Sequence, residues 1–151
     1  MNTEMFIYES IQDALITAPV FMLMYHFWRK IKKKKIWIIE DSSIDIDLFR
    51  LRLKLDPEQF DVQYLTSATM LAQKMLKLQK PDAVLVDYFL GNSVKGDKVV
   101  AFCDNNSIPS ILVTGYDGEI AGMRERIIRK TNDDSFYRAV ETWVKKVTQH
   151  V

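Results

Sequence analysis

The chain has 151 residues, 48% of them apolar, and a formal net charge of +1. That length suits one domain plus a short extension, and the near balance of charge gives no global argument for nucleic acid as a partner. A single cysteine, Cys103, excludes an internal disulfide framework, and with His26 and His150 far away in sequence it leaves no zinc-ligand spacing.

The first segment stands apart. Ala14–Trp28 reads ALITAPVFMLMYHFW, and RKIKKKK follows it directly. A surface helix would show a polar face, and this one shows none, so it needs burial on all sides. A membrane-spanning helix, a shallow surface anchor and a helix docked on protein all meet that need. The basic run would hold the C-terminal side in the cytoplasm and would favour anionic lipid, giving membrane contact through 14–35. A docked helix would instead mark an oligomer or partner interface. The organisation expected is an N-terminal hydrophobic helix with its basic segment over 1–34 and a folded domain over 35–151.

From Ile36 onward short apolar runs alternate with amphipathic stretches. Ile36–Ile39 reads as a strand covered on both faces. Ser42, three residues before Asp45, is a capping-box signature, with Ile44, Leu48, Leu51 and Leu55 on one helical face and Pro57 closing the helix. Phe60, Val62 and Tyr64 alternate as a strand. Ser67 opens a helix with Leu71, Met75 and Leu78 inward, ended by Pro81. Ala83–Val86 is a buried strand running into Asp87, and a loop with Gly91 and Gly96 leads to a helix carrying Val99, Val100 and Phe102, with Cys103 as a small buried hydrophobe. Ile111–Val113 and Ile127–Ile128 are the last strands. Asp134 or Ser135 caps a final helix with Phe136, Val140, Trp143 and Val147 in one stripe. Such alternation predicts an α/β fold, a five-stranded parallel sheet with helices on both faces, in the flavodoxin-like doubly wound order 2-1-3-4-5.

In such sheets function collects at the carboxyl ends of the strands. Standing there are Glu40 and Asp41, Asp87, Thr114 and Lys130. Converging carboxylates repel unless a proton or a cation intervenes, and a hard divalent ion such as Mg²⁺ takes oxygen ligands of this kind. Asp87 then has the setting of a nucleophile toward a phosphoryl donor, with the Lys130 ammonium and the Thr114 hydroxyl neutralising the transferred group. Each residue also has a plainer reading. Glu40 and Asp41 suit the start of a helix, Asp87 a turn, Thr114 a strand end and Lys130 a solvated surface.

The stretches IWIIEDSSIDIDLF, PDAVLVDYFLG and IPSILVTGY, with the late lysine, resemble the signature segments of response-regulator receiver domains, from Lys35 to His150. The resemblance implies a two-component phosphoacceptor rather than a turnover enzyme. Glu40 and Asp41 would be its acidic pair, Asp87 the phosphorylated aspartate, Thr114 the switch hydroxyl and Lys130 the lysine. The Phe89 carbonyl would join Glu40, Asp41 and Asp87 as a ligand to Mg²⁺. Implied partners are a histidine kinase or phosphotransfer protein and an output protein, in the cytoplasm or at the inner membrane face. The chain departs from that pattern at Thr131, where the family places proline, and at Ile127, where it often carries an aromatic switch. Between Thr114 and Lys130 there is room for a fourth helix of at most about two turns once loops are allowed for. These departures favour, as an alternative, a constitutive interaction adaptor on a receiver fold. A small aspartyl-phosphate phosphohydrolase is a third reading, weakened by Phe89 where such enzymes want a second aspartate.

Overall fold

A computed structural model of the chain describes residues 22–23, 32–91 and 94–149. The chain divides into two compact units, Met1–Lys33 and Lys34–Val151. Of the apolar segment 14–28 only Met22 and Leu23 fall among the described residues, so the anchor and docking readings lie outside them. No helix among the described residues is long and apolar enough to cross a membrane.

The second unit holds the sheet. Its strands are β1 (Lys34–Ile39), β2 (Phe60–Leu65), β3 (Ala83–Val86), β6 (Ser110–Thr114) and β7 (Ile127–Arg129), all parallel and ordered β2-β1-β3-β6-β7. Counted along the chain, that is the doubly wound order 2-1-3-4-5. Period-two alternation decides what each strand residue meets. Trp37, Ile39, Val84, Val86 and Leu112 pack on one side, and Ile36, Ile38, Ala83, Leu85, Ile111 and Val113 on the other. Helices α2 (Ala68–Leu76) and α3 (Gly96–Asn105) cover the first side through Leu71, Val99, Val100 and Cys103. Helices α1 (Ser43–Arg52) and α4 (Asp134–Thr148) cover the second through Phe49, Phe136, Tyr137, Val140 and Val144. There Phe49 meets Phe136 and Tyr137 edge-on at 5.6 and 5.8 Å, contacts worth about 0.5–1.5 kcal/mol each beyond their burial.

Several local expectations need correction. In α1 the buried residues are Ile46 and Phe49, while Ile44 and Leu51 are exposed and Leu48 and Leu55 half-buried. Phe49, Ile46 and Leu53 span one arc of the helix, and the large ring of Phe49 sets which arc meets the sheet. Leu78 lies past the end of α2 in a left-handed conformation (φ 56°), fully in solvent. Both helices stop several residues short of Pro57 and Pro81, at Arg52 and Leu76. Between β6 and β7, residues 115–126 form turns and bends and no helix at all. Two short strands, β4 (Phe89–Leu90) and β5 (Val94–Lys95), pair antiparallel after Asp87. Gly96 then opens α3 rather than sitting in a loop. It has to be glycine, because a Cβ there would overlap the backbone carbonyl of Asp87.

Candidate functional site

The parallel register builds the site. Ile39 of β1 stands opposite Val86 of β3, so Glu40 and Asp87, one residue beyond each, leave the sheet side by side. The Asp87 N–H donates to the Ile39 carbonyl at 2.9 Å. On the far side Thr114 is paired with Arg129, and the Lys130 N–H donates to the Thr114 carbonyl at 2.9 Å.

Carboxylate oxygens of Glu40, Asp41 and Asp87 gather within 4.8 Å of one another. Glu40 and Asp87 are buried and Asp41 is exposed. Lys130 reaches across the strand ends, its Nζ 2.6 Å from Glu40 Oε2 and 2.9 Å from Asp87 Oδ1. Burial pushes the Glu40 carboxyl above its ordinary 4.5, and the hydrogen bond and charge of Lys130 offset that only in part. Burial also works against the Lys130 charge, but bonds to Asp45, Glu40 and Asp87 outweigh it and hold the ammonium above its ordinary value. The other Asp87 oxygen, Oδ2, accepts the Phe89 N–H at 2.6 Å. Through that N–H Phe89 reaches the site, and the residue as a whole is half-exposed. Thr114 is buried, and its Oγ1 accepts the Tyr116 N–H at 3.1 Å.

One member of the constellation is absent from the sequence reading. Asp45 Oδ2 lies 2.7 Å from Lys130 Nζ. The capping-box signature accounted for that residue by another role, and only half of the box forms. Ser42 Oγ accepts the Asp45 N–H at 3.3 Å, but the Ser42 N–H goes to Glu40 Oε1 at 3.1 Å. The Asp45 carboxylate is thereby released to face the lysine. An aromatic cluster also borders the site. Tyr88 stacks on Tyr116 at 5.7 Å, and Phe89 meets both rings edge-on.

Three carboxylates offering hard oxygens at this spacing, two of them buried, are compatible with a divalent cation.

No family model matches the sequence, and no curated protein does. Solved structures do. The signal receiver domain of an HD domain-containing protein from Pseudomonas fluorescens Pf-5 superposes with a TM-score of 0.63 at 20% identity, over 79% of this chain and 97% of that one. This is the receiver fold of response regulators. The phosphorylated cyanobacterial phytochrome response regulator RcpA (TM-score 0.61, 22% identity, 76% and 96% covered) shares it. So does the Mn²⁺-bound form of response regulator Rcp1 (0.59, 21%, 78% and 96%). On a receiver fold the strand-end carboxylates of this chain stand at the carboxyl edge of the sheet, where open α/β sheets bind ligands.

Proposed function

We propose that this domain is a phosphate-accepting signalling receiver, not a turnover enzyme, and that Asp87 takes the phosphoryl group from a histidine kinase or phosphotransfer protein. The observation that carries the reading is the meeting of Lys130 Nζ with Glu40 and Asp87 inside a carboxylate group that spans 4.8 Å. Two response regulators of the same fold, the phosphorylated RcpA and the Mn²⁺-bound Rcp1, lend support.

In this mechanism a carboxylate oxygen of Asp87 attacks phosphorus, the P–N bond of the donor phosphohistidine breaks, and the imidazole nitrogen recovers the electron pair. The product is an acyl phosphate. Glu40, Asp41, Asp87 and the Phe89 carbonyl would hold Mg²⁺, which when bound neutralises phosphoryl oxygens. Lys130 holds a second oxygen by an ammonium hydrogen bond, and the Thr114 hydroxyl turns from its N–H partner to donate to a third. The Phe89 N–H fixes the orientation of the Asp87 carboxyl. Output follows from changed protein contacts, and Tyr116 is tied to the site most directly, because its N–H rests on the Thr114 hydroxyl.

Incubation with radiolabelled acetyl phosphate and Mg²⁺ should give a base-labile, hydroxylamine-labile label that is lost in Asp87→Asn. A label that persists in Asp87→Asn would place the acceptor elsewhere; no label on the parent protein would refute the reading. The absence of a helix over 115–126, together with Ile127, favours a second reading in which the fold serves as a constitutive adaptor. Partner capture that is equal for the unmodified and the beryllofluoride-treated protein would select it.

A further inference from the structure

Lys130 has three ammonium hydrogens and three carboxylate acceptors, Glu40 at 2.6 Å, Asp45 at 2.7 Å and Asp87 at 2.9 Å. Two of these acceptors, Glu40 and Asp87, belong to the set whose oxygens converge within 4.8 Å, and Asp45 does not. Any dication in that set therefore shares two of the lysine's three partners and repels its ammonium at close range. A lysine side chain is a flexible four-carbon stem with a strongly hydrated head, so unless an acceptor outside the set drew it aside it would stay on Glu40 and Asp87 and compete with the cation for them. Asp45 is placed to do so. It sits on the first turn of α1, its N–H is fixed by Ser42 Oγ, and its carboxylate bonds to the lysine.

We infer that Asp45 is a positioning residue that anchors the Lys130 ammonium on the side away from the acidic set, so that a divalent cation and the lysine occupy the site together. The inference rests on the proposed cation site, and its test separates the two. Mn²⁺ is titrated into the full chain and free Mn²⁺ is read by electron paramagnetic resonance, for the parent, Asp45→Asn, Lys130→Ala and the double variant. If Asp45 works through Lys130, Asp45→Asn weakens Mn²⁺ binding about tenfold when the lysine is present and only about twofold when it is absent, a coupling of the size seen between contacting residues. Asp45→Glu, which keeps the charge, should restore most of the affinity. Equal losses in both lysine backgrounds would mean that Asp45 contributes bulk charge alone, and no loss would mean that it does nothing for the cation; either overturns the inference. A parent protein that binds no Mn²⁺ overturns the cation site itself. Asn is close to Asp in size and the Ser42 cap does not use the Asp45 carboxylate, so Asp45→Asn should still fold cooperatively, its melt lowered only by the loss of one of the three ion pairs to Lys130.

Discussion

Replacing Lys130 by Met keeps most of the stem and removes the charge, which tests the electrostatics of the site without any ligand. The lysine side chain is 19% exposed, and its partners Glu40, Asp87 and Asp45 are 2%, 9% and 34% exposed. Removing one partner of a buried pair costs about 3–5 kcal/mol. Glu40 can shed its charge by taking a proton and Asp45 is partly hydrated, so the lower end, about 3 kcal/mol, is expected. For a domain of this size that corresponds to a fall in Tm of about 12 °C. The loss should depend on pH in a defined sense. A carboxyl whose folded pKa is raised contributes stability that is present below its ordinary pKa and is lost as pH rises through the folded value. Glu40 is such a group, and without Lys130 its folded value climbs further, so the gap between parent and variant is small below 4.5 and widens toward neutrality. Divalent cation should then narrow the gap. A ligand at one hundred times its Kd stabilises by about 2.7 kcal/mol, and the variant, freed of a competing ammonium, binds more tightly than the parent. Differential scanning calorimetry between pH 4 and pH 8, with and without Mg²⁺, measures all three effects. A variant that melts with the parent at neutral pH, or a Mg²⁺ shift no larger than the parent's, would refute the reasoning.

Other perturbations reach different parts of the fold. Gly96→Ala pushes a methyl group against the Asp87 carbonyl and Leu112 Cδ2; overpacking of this kind costs about 1–3 kcal/mol, and chemical denaturation should show that loss together with slower labelling by acetyl phosphate. Phe49→Ala removes a buried ring from between Phe136 and Tyr137 and should cost about 3–5 kcal/mol in urea unfolding. Asp104 is held below its usual range chiefly by the hydrogen bond from Arg126. That pair's stability is therefore present above the ordinary carboxylate pKa and lost as pH falls through the folded one. Because the pair is well exposed, Asp104→Asn should cost only about 0.5 kcal/mol at pH 7, and nothing near pH 2, in matched urea melts. Cys103 is buried and its thiol is pushed up to about 11 by that burial, so the native protein should resist a thiol reagent at pH 8 that labels the urea-unfolded chain at once.

The sheet was legible because its signal is local and redundant. Ile36–Ile39 and Ala83–Val86 are apolar without interruption, and a strand buried on both faces needs little else. Once the order of a doubly wound sheet is expected, register follows, and with it the neighbourhood of Glu40, Asp41 and Asp87. The face of α1 was not legible. Ile44, Leu48, Leu51 and Leu55 fit one helical period as well as Ile46, Phe49 and Leu53 do, and only the packing of Phe49 against α4 decides between them. The length of α2 shows the same limit from another side. Proline marks where a helix cannot continue, but the left-handed turn at Leu78 had already ended it.

Asp45 was hidden for a more instructive reason. Its position three residues after Ser42 fits a capping box, and in such a box the acid turns back to the serine N–H. Here Glu40, held at the end of β1, takes that N–H instead. The displaced carboxylate then lies within reach of a lysine that is 85 residues further along the chain. No pattern within α1 can reveal this, because the competitor comes from the preceding strand and the new partner from the last one. The same competition explains why a motif of ordinary helix chemistry supplies a fourth acid to the site. With Glu40 satisfying the helix start, the strand ends carry four carboxylates against one ammonium, an imbalance compatible with a bound divalent cation.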